Sequence, residues 1–244
     1  MIRFLGVCIQ NFIECIKYLI GGNLRFKSVI SQAAMISYDS LPISLIIAFI
    51  SAAVIAIQVS KEFLMTGAEA YIGGTITLVM IREIAPGFVA LAIGARAGTA
   101  ISAEIANMQV TSQVDAIKTL RISPIGYYFT PRIVAAAVTV PMVVIIAEFI
   151  GILGGMYVAN QTIGLHPARY MASAWAWMKT KDIYISLLKA CVFGALIALV
   201  CASKGYETKG GAKEVGTSTT RAAILSTIFM LVADFLINLL FYIA

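Results

Sequence analysis

Five ionisable residues stand inside otherwise apolar stretches: Arg82, Glu83, Glu148, Lys189 and Asp234. A charge near the centre of a bilayer costs about 2.5–3.5 kcal/mol on insertion scales, so such residues face a bundle interior, a water-filled cavity or one another. Arg82 and Glu83 are adjacent and run into Ala85-Pro86, which predicts a break in regular helix at a water-accessible place. An arginine there presents a planar fork of donors matched to a phosphate group. Leu78, Val79 and Phe88 flank the pair and are candidates to line an apolar path beside it. The competing reading is that Arg82 and Glu83 pair with Lys189 or Asp234 only to hold a helix bundle together.

Other chemistries are excluded by residue type and spacing. The single histidine, His166, sits in a Gly-Leu-His-Pro turn and leaves no partner for a nucleophilic triad. In the glycine-rich run from Gly205 to Gly211, Gly210 stands as the second glycine and is followed by Gly211-Ala212 where a phosphate-binding loop needs Lys then Ser or Thr, so the chain should not bind or hydrolyse ATP by itself. Cys8, Cys15, Cys191 and Cys201 lie in apolar sequence without a CxxC pair or histidine neighbours. They read as reduced core residues, and no metal is expected. The net charge of +6 is scattered between apolar runs rather than gathered in a basic stripe with interleaved aromatics, which argues against a nucleic-acid partner.

The elements that must hold these residues are membrane spans. Of 244 residues, 60% are hydrophobic and 12% charged, about half the charged share of a soluble domain. Residues 40–60 carry no charge and read as the clearest span. Further spans are predicted over about 76–103, 133–158, 183–203 and 221–243, the last capped by Thr217, Ser218 or Thr219. The spacing of apolar residues in 1–30 predicts a helix lying in the membrane interface, with no cleavable signal peptide. Residues 104–123 predict one amphipathic helix outside the bilayer core, with Asn107, Thr111, Asp115 and Lys118 on one face and Pro124 as its stop. Gly94-x-x-x-Gly98 and Gly151-x-x-x-Gly155 allow close helix approach, within the chain or between copies. With the N-terminus inside and five spans, twelve of the 18 basic residues fall on the cytoplasmic side. The expectation is an all-α integral membrane protein with about five transmembrane helices, divided into an N-terminal region, 1–35, and a transmembrane domain, 36–244.

Several of these motifs occur together elsewhere. Arg82-Glu83-Ile84-Ala85-Pro86 resembles the Arg-Glu-Leu-Gly-Pro of MlaE/YrbE-type permeases. Ala95-Arg96-Ala97-Gly98, Ala103-Glu104-Ile105, Met108, Thr111 and Gln113 resemble that family's stretch leading into its cytoplasmic coupling helix. Pro124, Pro131-Arg132, Thr219-Thr220-Arg221 and Asp234-Phe235 continue the likeness, which runs from about residue 28 to the end. Ile84-Ala85 in place of Leu-Gly is a departure. The resemblance implies a multi-pass permease of the bacterial cytoplasmic (inner) membrane, working as a homodimer on phospholipids or related lipids. It implies a cytoplasmic ABC ATPase subunit that binds the ATP, so that this chain holds no cofactor, and an MCE-domain lipid-binding partner. Arg82, Glu83, Leu78, Val79 and Phe88 then become candidate substrate-binding residues. Glu104, Thr111, Gln113, Asp115 and Lys118 become candidates for coupling to the ATPase.

Two other readings stay open on the residues alone. The intramembrane charges also suit an ion-coupled secondary transporter or channel, although no inverted repeat is seen. A membrane scaffold without transport is the third.

Overall fold

The computed structural model describes residues 2–22 and 24–243; Met1, Asn23 and Ala244, which fall in the expected regions 1–35 and 36–244, lie outside the described residues. The chain is 91% helical, with no strand among the described residues. In order, the helices are α1 (Ile2–Ile20), α2 (Phe26–Thr66), α3 (Ile72–Val79), α4 (Ala85–Ile93), α5 (Thr99–Val110), α6 (Gln113–Thr119), α7 (Thr130–Ile163), α8 (Pro167–Trp177), α9 (Thr180–Tyr206) and α10 (Ala212–Asn238). Five stretches are long and apolar enough to cross a membrane: Phe26–Thr66, Glu69–Val110, Ile125–Ile163, Thr180–Tyr206 and Ala212–Phe241. They match the five expected spans but overrun them at most ends, because polar flanking turns continue each helix beyond its apolar core.

Single turns of π-helix interrupt the second span at Met80–Ile84 and Gly94–Gly98 and open the third at Ile125–Phe129. The first corrects the expected break at Arg82-Glu83: the backbone stays helical and takes in one extra residue. The predicted helix 104–123 is likewise not continuous. Ser112 adopts a left-handed conformation, φ 59°, and separates α5 from α6. Thr111 turns its hydroxyl back onto the Asn107 carbonyl at 2.8 Å, the competition by which Ser and Thr weaken helix interiors. Arg121, with φ 58°, follows the end of α6 short of residue 123. The last helix starts at Ala212 rather than 221. The backbone N–H of Gly211 donates to the Glu214 carboxylate at 3.0 Å, so Glu214 and not Thr217, Ser218 or Thr219 finishes its N-terminus.

The chain forms two compact units. One comprises Met1–Ser40, Ile93–Val140 and Cys191–Ala244, the other Leu41–Ala92 and Pro141–Ala190. In the second unit α3 packs on α8. Gly74 donates its N–H to the Ser173 hydroxyl at 3.0 Å, and a side chain at Gly73 would collide with the Tyr170 carbonyl. Gly151 and Gly155 face Met80 and Ile76 within the same unit. In the first unit Gly98 faces Ile197 and Cys201, and Gly194 faces the Ala136 backbone. Both small-residue motifs therefore pack inside the chain. There α1 is held by Asn11 donating to Ser203 at 2.9 Å, by Ser123 donating to Glu14 at 2.5 Å, and by Phe4 stacked on Phe229.

Candidate functional site

Pro86 shapes the site in the second unit. It has no N–H to offer the carbonyl of Arg82 four residues earlier, and that carbonyl accepts from the Lys189 ammonium at 2.8 Å. Lys189 also meets Glu83 at 3.0 Å, and Arg82 Nε meets Asp182 at 2.9 Å. Asp182 and Lys189 lie seven residues apart on α9, two turns on one face, so the adjacent pair on the π-turn engages both. The exposures are uneven. The Asp182 and Lys189 side chains are 2% and 0% exposed, whereas Arg82 and Glu83 keep 35% and 45%. The inner partners are fixed and desolvated, while the outer two present a charged edge.

Of the other expected residues, Leu78 and Val79 are half-buried and Phe88 is exposed. A cavity of about 300 Å³ in this unit is walled by Thr77 and Ile81 from α3 and the π-turn, together with Phe149, Trp175 and Met178, rather than by those three. Glu148, also on its wall, is buried and accepts from the Ser186 hydroxyl at 2.5 Å. Asp182 was missed from sequence because it stands at the polar start of α9 beside Lys181. Its spacing from Lys189 was the available signal. His166 proves to be the N-cap of α8: its Nδ1 accepts from the Ala168 N–H at 3.2 Å, ahead of Pro167 in the first turn.

The coupling candidates in the first unit separate into two kinds. Glu104 lies in an ion pair with Arg132 at 2.7 Å, and Arg132, 5% exposed, also donates to the Tyr128 carbonyl. Thr111, Gln113, Asp115 and Lys118 are exposed on and beside α6, which is anchored by the fully buried Val114. Lys118 bonds Asp115 at 3.0 Å and sits 5.6 Å from the Tyr206 ring; the bond to Asp115 holds its ammonium above the usual lysine value.

This arrangement, an ion-paired π-turn among apolar spans and a short exposed helix between spans, has relatives. The family model for permease MlaE matches residues 29–240. A "Probable ABC transporter permease protein" of Synechocystis is 34% identical over 225 residues, covering 92% of this chain and 86% of that one. One of the same description from Rickettsia prowazekii is 37% identical over 219 residues, covering 90% and 85%. The chloroplastic protein TRIGALACTOSYLDIACYLGLYCEROL 1 of Arabidopsis thaliana is 30% identical over 224 residues, 92% of this chain and 64% of that one. The chain belongs to the MlaE family and is a multi-pass ABC transporter permease.

Proposed function

We propose that the chain moves phospholipids or related lipids, as a homodimer in a bacterial inner membrane. It works with a cytoplasmic ABC ATPase and an MCE-domain lipid-binding partner, with the lipid headgroup meeting Arg82 and Glu83. The observation that carries this is the charged edge: two side chains left 35% and 45% exposed within apolar spans, each fixed by a buried counter-ion. Facing lipid tails, that edge would be costly; facing a headgroup or the water around it, it is not. Arg82 supplies phosphate-matched donors, and Leu78, Val79 and Phe88 supply apolar surface beside it. A relative that carries the name of a glycolipid adds support for a lipid substrate. Thr111, Gln113, Asp115 and Lys118 then meet the ATPase, which alone binds ATP, with Glu104 behind them.

The test is Arg82→Ala, with bound phospholipid, ATP-dependent lipid transfer and dimer stability measured separately. Lost lipid with an intact dimer supports the site. Normal binding and transfer removes Arg82 from the mechanism, and transfer driven by an ion gradient without ATP points to the secondary transporter. Orientation is checked by labelling Ser112→Cys from the cytoplasmic side and Thr180→Cys from the far side. Burial pushes the Cys8 and Cys15 thiols up to about 11, so these two stay protonated and slow to react at neutral pH.

A further inference from the structure

In the first unit, the end of α9 and the first turns of α10 enclose a polar pocket of about 240 Å³. The pocket is preformed. Ser218 donates to the Lys204 carbonyl at 2.9 Å and accepts from Thr208 at 2.8 Å, which ties the two helices across the connecting loop. The loop turns at Gly210, whose φ of 120° strains any residue with a side chain.

Three cations, Lys204, Lys209 and Arg221, and two carboxylates, Glu207 and Glu214, line this pocket. The carboxylates are engaged: Glu207 by Lys204 at 3.0 Å, Glu214 by the Gly211 N–H at 3.0 Å. Lys209 and Arg221 have no ion pair or hydrogen bond among the described residues and are exposed. The first-turn amides of the 27-residue α10 add a partial positive charge at the same end.

We infer that this pocket binds a phosphate group, carried on an anionic lipid headgroup or free in solution, through Lys209, Arg221 and the start of α10. A basic pocket between the ends of two spans is the physical form that anionic headgroup sites take. The site contains neither Arg82 nor Glu83, and filling it needs no ATPase and no transport, so its test can fail independently of the proposed function. Tyr206, whose ring Lys118 of α6 approaches, stands next in sequence to Glu207 of the pocket wall.

The experiment uses the full chain reconstituted in phosphatidylcholine vesicles containing phosphatidic acid, with the lipid retained per chain counted by mass spectrometry. The Lys209→Ala, Arg221→Ala double variant should lower phosphatidic acid retention by about thirtyfold. Lys213→Ala, an exposed lysine of the same helix outside the pocket lining, should lower it by less than about twofold. Thermal unfolding of each variant separates lost binding from lost fold, and Lys209→Gln alone serves if the double variant unfolds. Inorganic phosphate that binds in pure phosphatidylcholine vesicles, and does so only with Lys209 and Arg221 present, supports the same site with free phosphate as its occupant. Equal losses for Lys213→Ala and the double variant mean a diffuse positive surface and overturn the inference, as does equal retention of phosphatidic acid by wild type and the double variant.

Discussion

Two charged regions of this chain look alike in composition and differ in how their charges are held. Around the Met80–Ile84 turn, each ion pair joins one partly exposed side chain to one that is buried. On α6, Lys118 and Asp115 are 46% and 61% exposed and pair only across one turn. A buried charge that loses its partner is left desolvated, at a cost of about 3–5 kcal/mol, whereas an exposed pair contributes about 0–1 kcal/mol. The first region is therefore bound up with the fold of its unit, and any role in function rides on that. The second is nearly free of the fold and available to a partner.

The largest effect expected from this difference is at Glu83. Glu83→Gln removes the carboxylate that the fully buried Lys189 faces and should cost about 3 kcal/mol in thermal unfolding. Adding Lys189→Met should recover most of that loss, since replacing both members of a buried pair with uncharged residues is often neutral. The double variant then separates fold from function. Restored stability with lost lipid transfer assigns the charges to transport, and restored stability with full transfer assigns them to the bundle alone.

The next effect tests whether close packing, rather than charge, holds each unit. Gly73→Ala places a methyl against the Tyr170 carbonyl, and Gly194→Ala places one 2.5 Å from the Ala136 carbonyl oxygen. Backbone cannot yield as a side-chain tip can, so each should destabilise by about 2 kcal/mol. Gly87 has nothing within 4 Å, and Gly87→Ala should be neutral or slightly stabilising. A loss at Gly87 as large as that at Gly73 would run against helix propensity and would mean that the close backbone contacts at Gly73 and Gly194 do not set these values.

The two regions were also unequally legible in the sequence. Five spans could be read because each needs about 20 mostly apolar residues, and runs of that length and character have few alternatives. The charges at 82, 83, 148 and 189 stood out against that background for the same reason. The pairing was less visible. Asp182 lies at a polar helix start where an acid is ordinary, and only its two-turn spacing to Lys189 marked it. The π-turns were hidden because one inserted residue leaves both flanks with an unbroken 3.6-residue pattern. The split between α5 and α6 hinged on the backbone angle of Ser112, which apolar periodicity does not encode. The start of α10 was placed too late because its first two turns are polar, and there the Gly211–Glu214 cap, not hydrophobicity, begins the helix.

The smallest effect on stability, and the sharpest on assembly, is expected at Asp115. Reversal at Glu104 is a poor probe of docking, because it sets a positive charge against the buried Arg132 and damages the start of α7 whatever the ATPase does. Among the described residues Asp115 has no such entanglement: it is 61% exposed, and its ion pair is with Lys118, itself exposed. Asp115→Lys should shift thermal unfolding by no more than about 0.5 kcal/mol. Like charges three residues apart on α6 should also withdraw Lys118 from the pair, while the buried Val114 keeps the helix seated. If α6 is the surface that meets the ATPase, the variant permease should fold as wild type and co-purify with substantially less ATPase. Full co-purification together with full ATP-driven transfer would place the coupling contact elsewhere, and a loss of stability as large as that of Glu83→Gln would break the contrast between the two regions.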